Sequence, residues 1–265
     1  MIPSNLISKK RDGKNLSKKE IDWFITSFLN KKISDAQMTS FLMTIFFKGM
    51  NETEIFSLVD IMIKSGSTLD FSKSDNFIAD KHSTGGIGDK TSLILAPIMA
   101  TLKIKIPMIA GRGLAFTGGT IDKLESIPNF KSSQTLQKFK KLVLNNNCAI
   151  VSQSDEICPA DKKIYQLRDL TATIPSIPLI SSSIMSKKIS EGINGLVLDI
   201  KIGNGAFIKT LEEGKKLAQW MKKIGTHFNL KTDIIFSSMN QPLGRYAGLA
   251  CEVQESMDTL SNKGP

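Results

Sequence analysis

Three stretches near the start of the chain repeat apolar residues every three or four positions, which is the spacing of one helix face. Each stretch follows a residue that can cap a helix, with Glu or Gln three positions later. In this capping box, two side chains bind backbone amides that would otherwise lack partners. The boxes begin at Ser17, Ser34 and Asn51. They predict a small helical module that ends near Ser65.

From about residue 76 the pattern changes, and short apolar runs alternate with helical stretches. Thr91 to Leu102 and Leu211 to Gly225 are predicted to be helices. The predicted strands lie in NFIADKH, IKIPMIAG, CAIVSQ, GLVLDIKIG and TDIIFSSM. Strands that alternate with helices predict an α/β fold with a mixed, largely parallel sheet.

The segment from Pro159 to Ser190 also has a helical pattern and is expected to pack back on the first module. We therefore predict a small all-helical domain from residues 1–70 with 160–190. Residues 71–159 with 191–265 would form a larger α/β, phosphate-binding domain. The chain ends on SNKGP, a turn-forming sequence, and we expect it to be truncated.

Composition and charge narrow the classes of function. The chain is 41% hydrophobic and 23% charged, and it has no apolar run long enough for a signal peptide or a membrane span. Three widely spaced cysteines are typical of a reducing, cytoplasmic setting, and two histidines exclude a multi-histidine zinc site. The net charge of +10 comes mainly from lysine, with four arginines and 7% aromatic residues. It therefore favours anionic substrates over a nucleic acid partner.

The stretch KHSTGGIGDKTS, residues 81–92, joins a predicted strand to a predicted helix through a glycine-rich turn. Such turns bind phosphate through backbone amides and the positive end of the helix. Lys81 supplies a full charge, and Ser83, Thr84 and Ser92 supply hydroxyl groups. The order Gly-Asp-Lys-Thr at 88–91 departs from the P-loop pattern, which disfavours an ATPase. The alternative is a tight turn that only packs a helix on the sheet.

A second glycine-rich stretch, GRGLAFTGGT at residues 111–120, also follows a predicted strand. Loops after parallel strands meet at the carboxyl edge of the sheet, so Thr120 could donate to the same anion. Farther along, Ser183 and Lys187 are four residues apart and would share one helix face, and Arg168 lies earlier in the same predicted helical segment. Ser183 and Lys187 could present a hydroxyl group and a cation to a planar polar ligand, or all three could be ordinary helix-surface residues. A phosphate site beside such a patch suggests transfer of a group between two ligands.

These stretches, with PADKKIYQLRDLTATIPSIPLISSSIMSKK, LVLDIKIGNGAF and QPLGRYAG, resemble the pyrimidine nucleoside phosphorylase and thymidine phosphorylase family. The likeness runs along the whole chain, but family members are longer. The resemblance therefore implies that the end of the α/β domain and the C-terminal domain are absent.

The resemblance also implies an activity: reversible phosphorolysis of thymidine, deoxyuridine or uridine to free base and a pentose 1-phosphate. It implies inorganic phosphate as co-substrate, no organic cofactor, and a homodimer whose helical domain closes on the α/β domain. The implied catalytic residues are His82, Arg168 and Lys187. The implied phosphate ligands are Lys81, Ser83, Thr84, Ser92, Ala110 and Thr120. The implied base ligands are His82, Arg168, Ser183 and Lys187.

The chain departs from the family pattern in the second loop and at a potassium site. Ala110 replaces a serine that donates to phosphate, and Ala115 and Phe116 replace a glycine and a histidine. Some members bind potassium through a threonine hydroxyl at the position of Lys90, whose ammonium could replace the ion. The remaining potassium ligands implied by the resemblance are Gly88, Leu243, Tyr246, which replaces a small residue, and Glu255.

Two other functions stay open on the sequence. An anthranilate phosphoribosyltransferase-like glycosyl transfer would use a related fold with a shorter glycine motif. An inactive remnant would keep only phosphate binding or dimerisation, which fits the altered second loop.

Overall fold

The fold, taken from a computed structural model, is described for residues 1–113 and 118–265. Eleven helices and five strands occur in these residues. The helices are α1 Pro3–Arg11, α2 Lys18–Leu29, α3 Asp35–Lys48, α4 Glu52–Lys64, α5 Thr91–Thr101, α6 Thr120–Glu125, α7 Leu136–Asn146, α8 Pro159–Leu170, α9 Ile177–Ser190, α10 Leu211–His227 and α11 Ala250–Leu260. The strands are β1 Ala79–Ser83, β2 Ile106–Ala110, β3 Cys148–Ser152, β4 Gly195–Ile202 and β5 Lys231–Ser238.

The first four helices form the predicted helical module, and three of them begin at the predicted capping boxes. The side chains of Ser17, Ser34 and Asn51 each accept a hydrogen bond from the amide three residues later, and the side chain of that later residue accepts one from the amide of the cap residue. A buried ion pair adds to this packing, because Lys10 Nζ on α1 lies 2.8 Å from Glu54 Oε2 on α4. The module is therefore fixed by both its helix starts and its interior.

All the strand pairs described are parallel. One sheet has the order β1-β4-β5 and the other pairs β2 with β3. The two meet at a parallel bridge between Ile78 and Lys105, and a single antiparallel bridge joins Gly86 to Ala206. Because the strands are parallel, the loops that follow them leave the sheet at one edge.

Helices cover the two faces of these sheets. Helix α7 places Phe139 and Val143 against β2 and β3, while Ala96 of α5 packs on the other side. The largest core cluster joins α1 to α4 with α8, α9, β4 and α10. This cluster runs across the predicted division into two domains, and that division stays a prediction.

Helices α8 and α9 pack back on the helical module, as their sequence pattern predicts. The amide of Ala160 donates to Ser65 Oγ at 3.2 Å. Gly66 sits so close to this junction that a Cβ there would lie 2.4 Å from the carbonyl oxygen of Glu156. Leu179 and Met185 of α9 belong to the same buried cluster as α2 to α4. No helix in the described residues is both long and apolar enough to span a membrane.

Candidate active site

Residues 84–90, called here the glycine loop, connect β1 to α5. Gly85 and Gly88 have φ values of +87° and +73°, a region that residues with a Cβ rarely adopt. Gly86 lies against Met239, and a Cβ there would come within 2.7 Å of Met239 Cγ. The glycines therefore allow a tight turn that packs directly on the loop after β5.

Lys81 on β1 places a buried ammonium group at the start of this loop. Its side chain is 5% exposed, and Nζ lies 3.5 Å from Asp199 Oδ2 and 3.9 Å from Asp89 Oδ2. It makes no hydrogen bond with any residue in the described ranges. Burial lowers the pKa of Lys81, and the two carboxylates oppose that effect. A buried ammonium with unused donors is a site that an anion would stabilise.

Two carboxylates and a second lysine surround Lys81. Lys201 Nζ on β4 lies 2.7 Å from Asp199 Oδ2 and 3.7 Å from Asp89 Oδ1. Burial acts to raise the pKa of Asp89, but the charges of Lys81 and Lys201 outweigh it and hold the pKa below its ordinary value. Asp89 is therefore ionised. Ser237 Oγ donates to Asp199 at 2.5 Å, which orients that carboxylate.

Two of the hydroxyl groups predicted to bind phosphate, those of Ser83 and Thr84, have hydrogen-bond partners in this region. Ser83 Oγ donates to Asp89 Oδ2 at 2.5 Å and accepts from the amide of Gly85 at 3.1 Å. Thr84 Oγ1 accepts from the amide of Lys201 at 2.9 Å. Ser92 is buried in the first turn of α5. An anion at Lys81 would compete with Asp89 for the Ser83 proton.

Ala110 and Thr120 border the second glycine-rich loop, at the end of β2 and the start of α6. Asp122 Oδ2 accepts from the amides of Gly113 and Gly119 at 2.6 and 3.1 Å, which holds the two described ends of the loop together. The substituted positions 115 and 116 lie outside the described residues. Strands β1 and β2 are parallel neighbours, so this loop and the glycine loop leave the sheet at the same edge.

The structure gives Arg168 a set of backbone partners. Its guanidinium is buried and donates to the carbonyl oxygens of Thr173, Ile174 and Leu179 at 3.5, 2.7 and 3.1 Å. Burial lowers the pKa of Arg168 to about 10. Its ring neighbour Tyr165 lies 5.6 Å from the guanidinium carbon. Arg168 therefore holds the turn between α8 and α9 in place.

Ser183 and Lys187 come together on α9, as their spacing predicts. Lys187 Nζ donates to Ser183 Oγ at 2.9 Å and forms an ion pair with Asp161 on α8. The side chain of Lys187 is 17% exposed while that of Asp161 is 1% exposed. Lys187 is therefore the more exposed member of this pair.

His82 lies between the two groups of residues. It follows Lys81 on β1, and because side chains alternate along a strand, it points to the opposite face. Burial lowers the pKa of His82 well below its ordinary value, and the charges of Lys188, Lys187 and Lys81 lower it further. The imidazole is therefore neutral near pH 7 and can donate one hydrogen bond.

Three of the oxygens assigned to potassium contact Lys90 instead. Its Nζ donates to the carbonyl oxygens of Leu243 and Tyr246 at 2.6 and 2.7 Å and forms an ion pair with Glu255. Gly88, the fourth residue assigned to potassium, packs against Pro242. No cluster of three His, Cys, Asp or Glu suited to a metal ion occurs in the part of the chain that is described.

Sequence reasoning missed Asp89, Asp199, Lys201 and Asp161 as members of these groups. A signal for two of them existed, because Asp199 and Lys201 alternate with apolar residues in a strand that is otherwise apolar. Period-two polar residues at the carboxyl end of a buried strand point to the ligand edge of the sheet. Asp161 gives no such signal, since its partner Lys187 is 26 residues away.

Two family models together match nearly the whole chain. Residues 4–66 match the glycosyl transferase family, helical bundle domain, and residues 75–264 match the glycosyl transferase family, a/b domain. The chain belongs to this glycosyl transferase family.

Among curated relatives, the pyrimidine-nucleoside phosphorylases of Staphylococcus haemolyticus (strain JCSC1435) and Geobacillus stearothermophilus are each 51% identical over 261 residues. That of Staphylococcus epidermidis (strain ATCC 12228 / FDA PCI 1200) is 47% identical. These alignments cover 98% of this chain and 60% of each relative, so the chain spans about three-fifths of their length.

A solved structure of anthranilate phosphoribosyltransferase from Thermus thermophilus has a TM-score of 0.64 and 12% identity. The match covers 90% of this chain and 67% of that protein. At this identity the likeness supports the fold and says nothing about the reaction.

Proposed function

We propose that this glycosyl transferase family member carries the phosphate and base sites of a pyrimidine-nucleoside phosphorylase. The observation that carries the proposal is the buried Lys81 ammonium, which hydrogen-bonds no described residue and lies on β1 just before the glycine loop. The pyrimidine-nucleoside phosphorylases that are about half identical to this chain support the same reaction.

In the proposed reaction, Lys81 and the amides of the glycine loop hold phosphate with its oxygen toward C1′ of the nucleoside. That oxygen forms a bond to C1′ as the bond between C1′ and the pyrimidine nitrogen breaks. The bonding electrons pass to the base, which leaves as an anion and then takes up a proton. The products are the free base and a pentose 1-phosphate.

Charge develops on the leaving base, so cations near it stabilise the transition state more than the substrate. In this proposal the Lys187 ammonium and the N–H of neutral His82 serve this role, and the charge of Lys187 is one of the causes of the lowered pKa of His82. Ser183 orients Lys187 through its 2.9 Å hydrogen bond. Closure of α8 and α9 over the loops would bring the two half-sites together and exclude water.

Thymidine, deoxyuridine and uridine are the proposed substrates. A homodimer and a cytoplasmic location belong to the same proposal, and the three free cysteines support a reducing compartment. In this proposal Arg168 shapes the α8–α9 turn. To bind the base as well, its guanidinium would have to release one of the backbone carbonyl oxygens to which it donates.

The test uses the chain as it stands, with two readouts. Phosphate binding is measured by calorimetry against chloride at equal ionic strength, and base release from thymidine and from uridine is measured with and without phosphate. We expect Lys81→Ala to abolish both, while Lys222→Ala, which removes an exposed lysine, leaves both unchanged.

Three results would overturn the proposal in different ways. Phosphate binding without base release would favour the inactive remnant. Consumption of anthranilate with a phosphoribosyl diphosphate and magnesium, without base release, would favour the phosphoribosyltransferase. Full activity in Lys81→Ala would remove the site assignment.

A further inference from the structure

Lys90 is the last residue of the glycine loop and the N-cap residue of α5, and its side chain is 2% exposed. Its ammonium meets three oxygens: the carbonyls of Leu243 and Tyr246, and a carboxylate oxygen of Glu255. We call these three oxygens the Lys90 cage. An ammonium has three N–H donors, so the cage satisfies it completely.

The Lys90 cage has the composition of a site for a hard monovalent cation. Backbone carbonyl oxygens are the ligands that replace the hydration shell of such ions in proteins, and one carboxylate balances one positive charge. A single ammonium within hydrogen-bond distance of all three oxygens occupies the place that an ion would need. The oxygens fit an ion, but Lys90 leaves no room for one.

The cage holds an irregular segment, residues 239–249, between β5 and α11. Glu255 accepts from the amides of Arg245 and Tyr246 at 2.8 and 3.4 Å. Gly244 has a φ of +76°, and a Cβ there would lie 2.5 Å from Glu255 Oε2. Burial acts to raise the pKa of Glu255, but Lys90 and the two amides outweigh it and lower the pKa. The segment is thus wrapped around an ionised, buried carboxylate that needs a cation.

A second buried ammonium, that of Lys123, also contacts a backbone carbonyl oxygen and a carboxylate of α11, as Lys90 does. Lys123 Nζ donates to the carbonyl oxygen of Asp89 at 2.6 Å and lies 2.6 Å from Glu252 Oε2. Glu252 and Glu255 are three residues apart and share one face of α11. Asp89 is therefore connected to α11 through Lys123, and Lys90 through its own side chain. Asp89 is also one of the two carboxylates beside Lys81.

We infer that Lys90 is a tethered replacement for a bound monovalent cation, so that the glycine loop is held to α11 without potassium. A free ion stabilises a protein in proportion to the logarithm of its concentration, through RT ln(1 + [L]/Kd). A covalently attached ammonium has no such dependence. Shortening Lys90 to threonine opens the cage, supplies a hydroxyl ligand and creates a requirement for a free ion.

The experiment measures Tm at a series of potassium chloride concentrations, kept at constant ionic strength with choline chloride. Three variants accompany the wild type. Lys90→Thr opens the cage, Lys90→Met fills it without a charge, and Lys222→Thr changes an exposed lysine as the control.

We expect the wild type and Lys222→Thr to have the same Tm in every mixture. Both Lys90 variants lose several degrees in choline chloride. Lys90→Thr recovers as potassium rises, and Lys90→Met stays low, because a methionine side chain leaves no room for the ion.

A wild-type Tm that rises with potassium would overturn the inference, since it would show an ion bound in spite of Lys90. Loss of Tm in Lys90→Thr with no recovery in potassium would overturn the assignment of the cage. If Lys90→Thr does not fold in choline chloride, the yield of folded Lys90→Thr is compared between choline chloride and potassium chloride in place of the Tm. The dependence of the wild-type Tm on potassium tests the inference in either case. None of these readouts depends on phosphorolysis.

Discussion

Lys188 on α9 and Asp80 on β1 form a fully buried ion pair, with Nζ and Oδ2 2.5 Å apart and side chains 1% and 0% exposed. Lys188 also lies 2.6 Å from Glu191 Oε1 and donates to the carbonyl oxygen of Ile109 at 3.1 Å. The pair joins the helix that carries Lys187 to the strand that carries the proposed phosphate ligand. It therefore connects the two elements that carry the two halves of the candidate site.

Replacing Lys188 by methionine should strongly destabilise the fold. The substitution leaves Asp80 and Glu191 buried without their cation, and breaking a buried pair in this way costs about 3–5 kcal/mol. Urea unfolding gives the free energy of unfolding. Lys222→Met, at an exposed position, should change it by no more than about 0.5 kcal/mol. Equal values for the two variants would contradict the structural role of Lys188.

Arg168→Met should destabilise the protein through the α8–α9 turn. The guanidinium satisfies three backbone carbonyls, and leaving one buried acceptor without a partner costs about 1–3 kcal/mol. The free energy of unfolding, measured in urea, should therefore fall by at least the cost of one such unpaired carbonyl, about 1–3 kcal/mol. Arg11→Met, which removes an exposed arginine, is the control. An unchanged free energy of unfolding would contradict the structural role of Arg168.

Some features of the fold and site follow from local sequence, and others depend on distant contacts. The capping boxes, the glycine loop and the shared face of Ser183 and Lys187 all involve residues within a few positions of one another. Arg168 differs, because its partners exist only when the turn folds back over the end of α8. The Lys188–Asp80 pair joins residues 108 positions apart, and no spacing rule indicates it.

Ser34→Ala tests one of the local predictions. Ser34 Oγ accepts from the amide of Gln37 at 3.3 Å, and the Gln37 side chain accepts from the amide of Ser34 at 3.0 Å. Loss of an N-cap hydroxyl costs about 1 kcal/mol. Thermal or urea unfolding measures the change, with Ser133→Ala as an exposed serine outside any helix or strand. A loss no larger than that of the control would mean that the cap does not contribute.

His82 should remain neutral at pH values where a free imidazole is already protonated, near 6.5. Its pKa is lowered by burial and by three lysines, so the folded chain resists the proton that the unfolded chain accepts. The free energy of unfolding should therefore fall as pH falls through this range. The chain has two histidines, so NMR of the ring protons, with His227→Gln for assignment, reads His82 directly. A midpoint at or above the ordinary value would contradict this.

Asp199→Asn should lower the upper pH limit of phosphate binding. Burial lowers the pKa of Lys81, and the carboxylates of Asp89 and Asp199 counteract this. Without the negative charge of Asp199, the effect of burial is less compensated and the pKa of Lys81 falls further. The ammonium therefore loses its proton at a lower pH. Since a neutral lysine cannot hold a phosphate dianion, the affinity of Asp199→Asn for phosphate should fall at a lower pH than that of the wild type. Calorimetric titration with phosphate over a pH series measures the limit.

The control for this prediction is Asp233→Asn, which neutralises an exposed carboxylate on β5 and should leave the limit in place. Lys201→Met separates charge from geometry. Lys201 is a like charge that also lowers the pKa of Lys81, so its removal should move the limit to higher pH. The two substitutions therefore act in opposite directions if Lys81 is the group that holds phosphate. A shift in the same direction for both would mean that loop distortion, and not the charge of Lys81, controls binding.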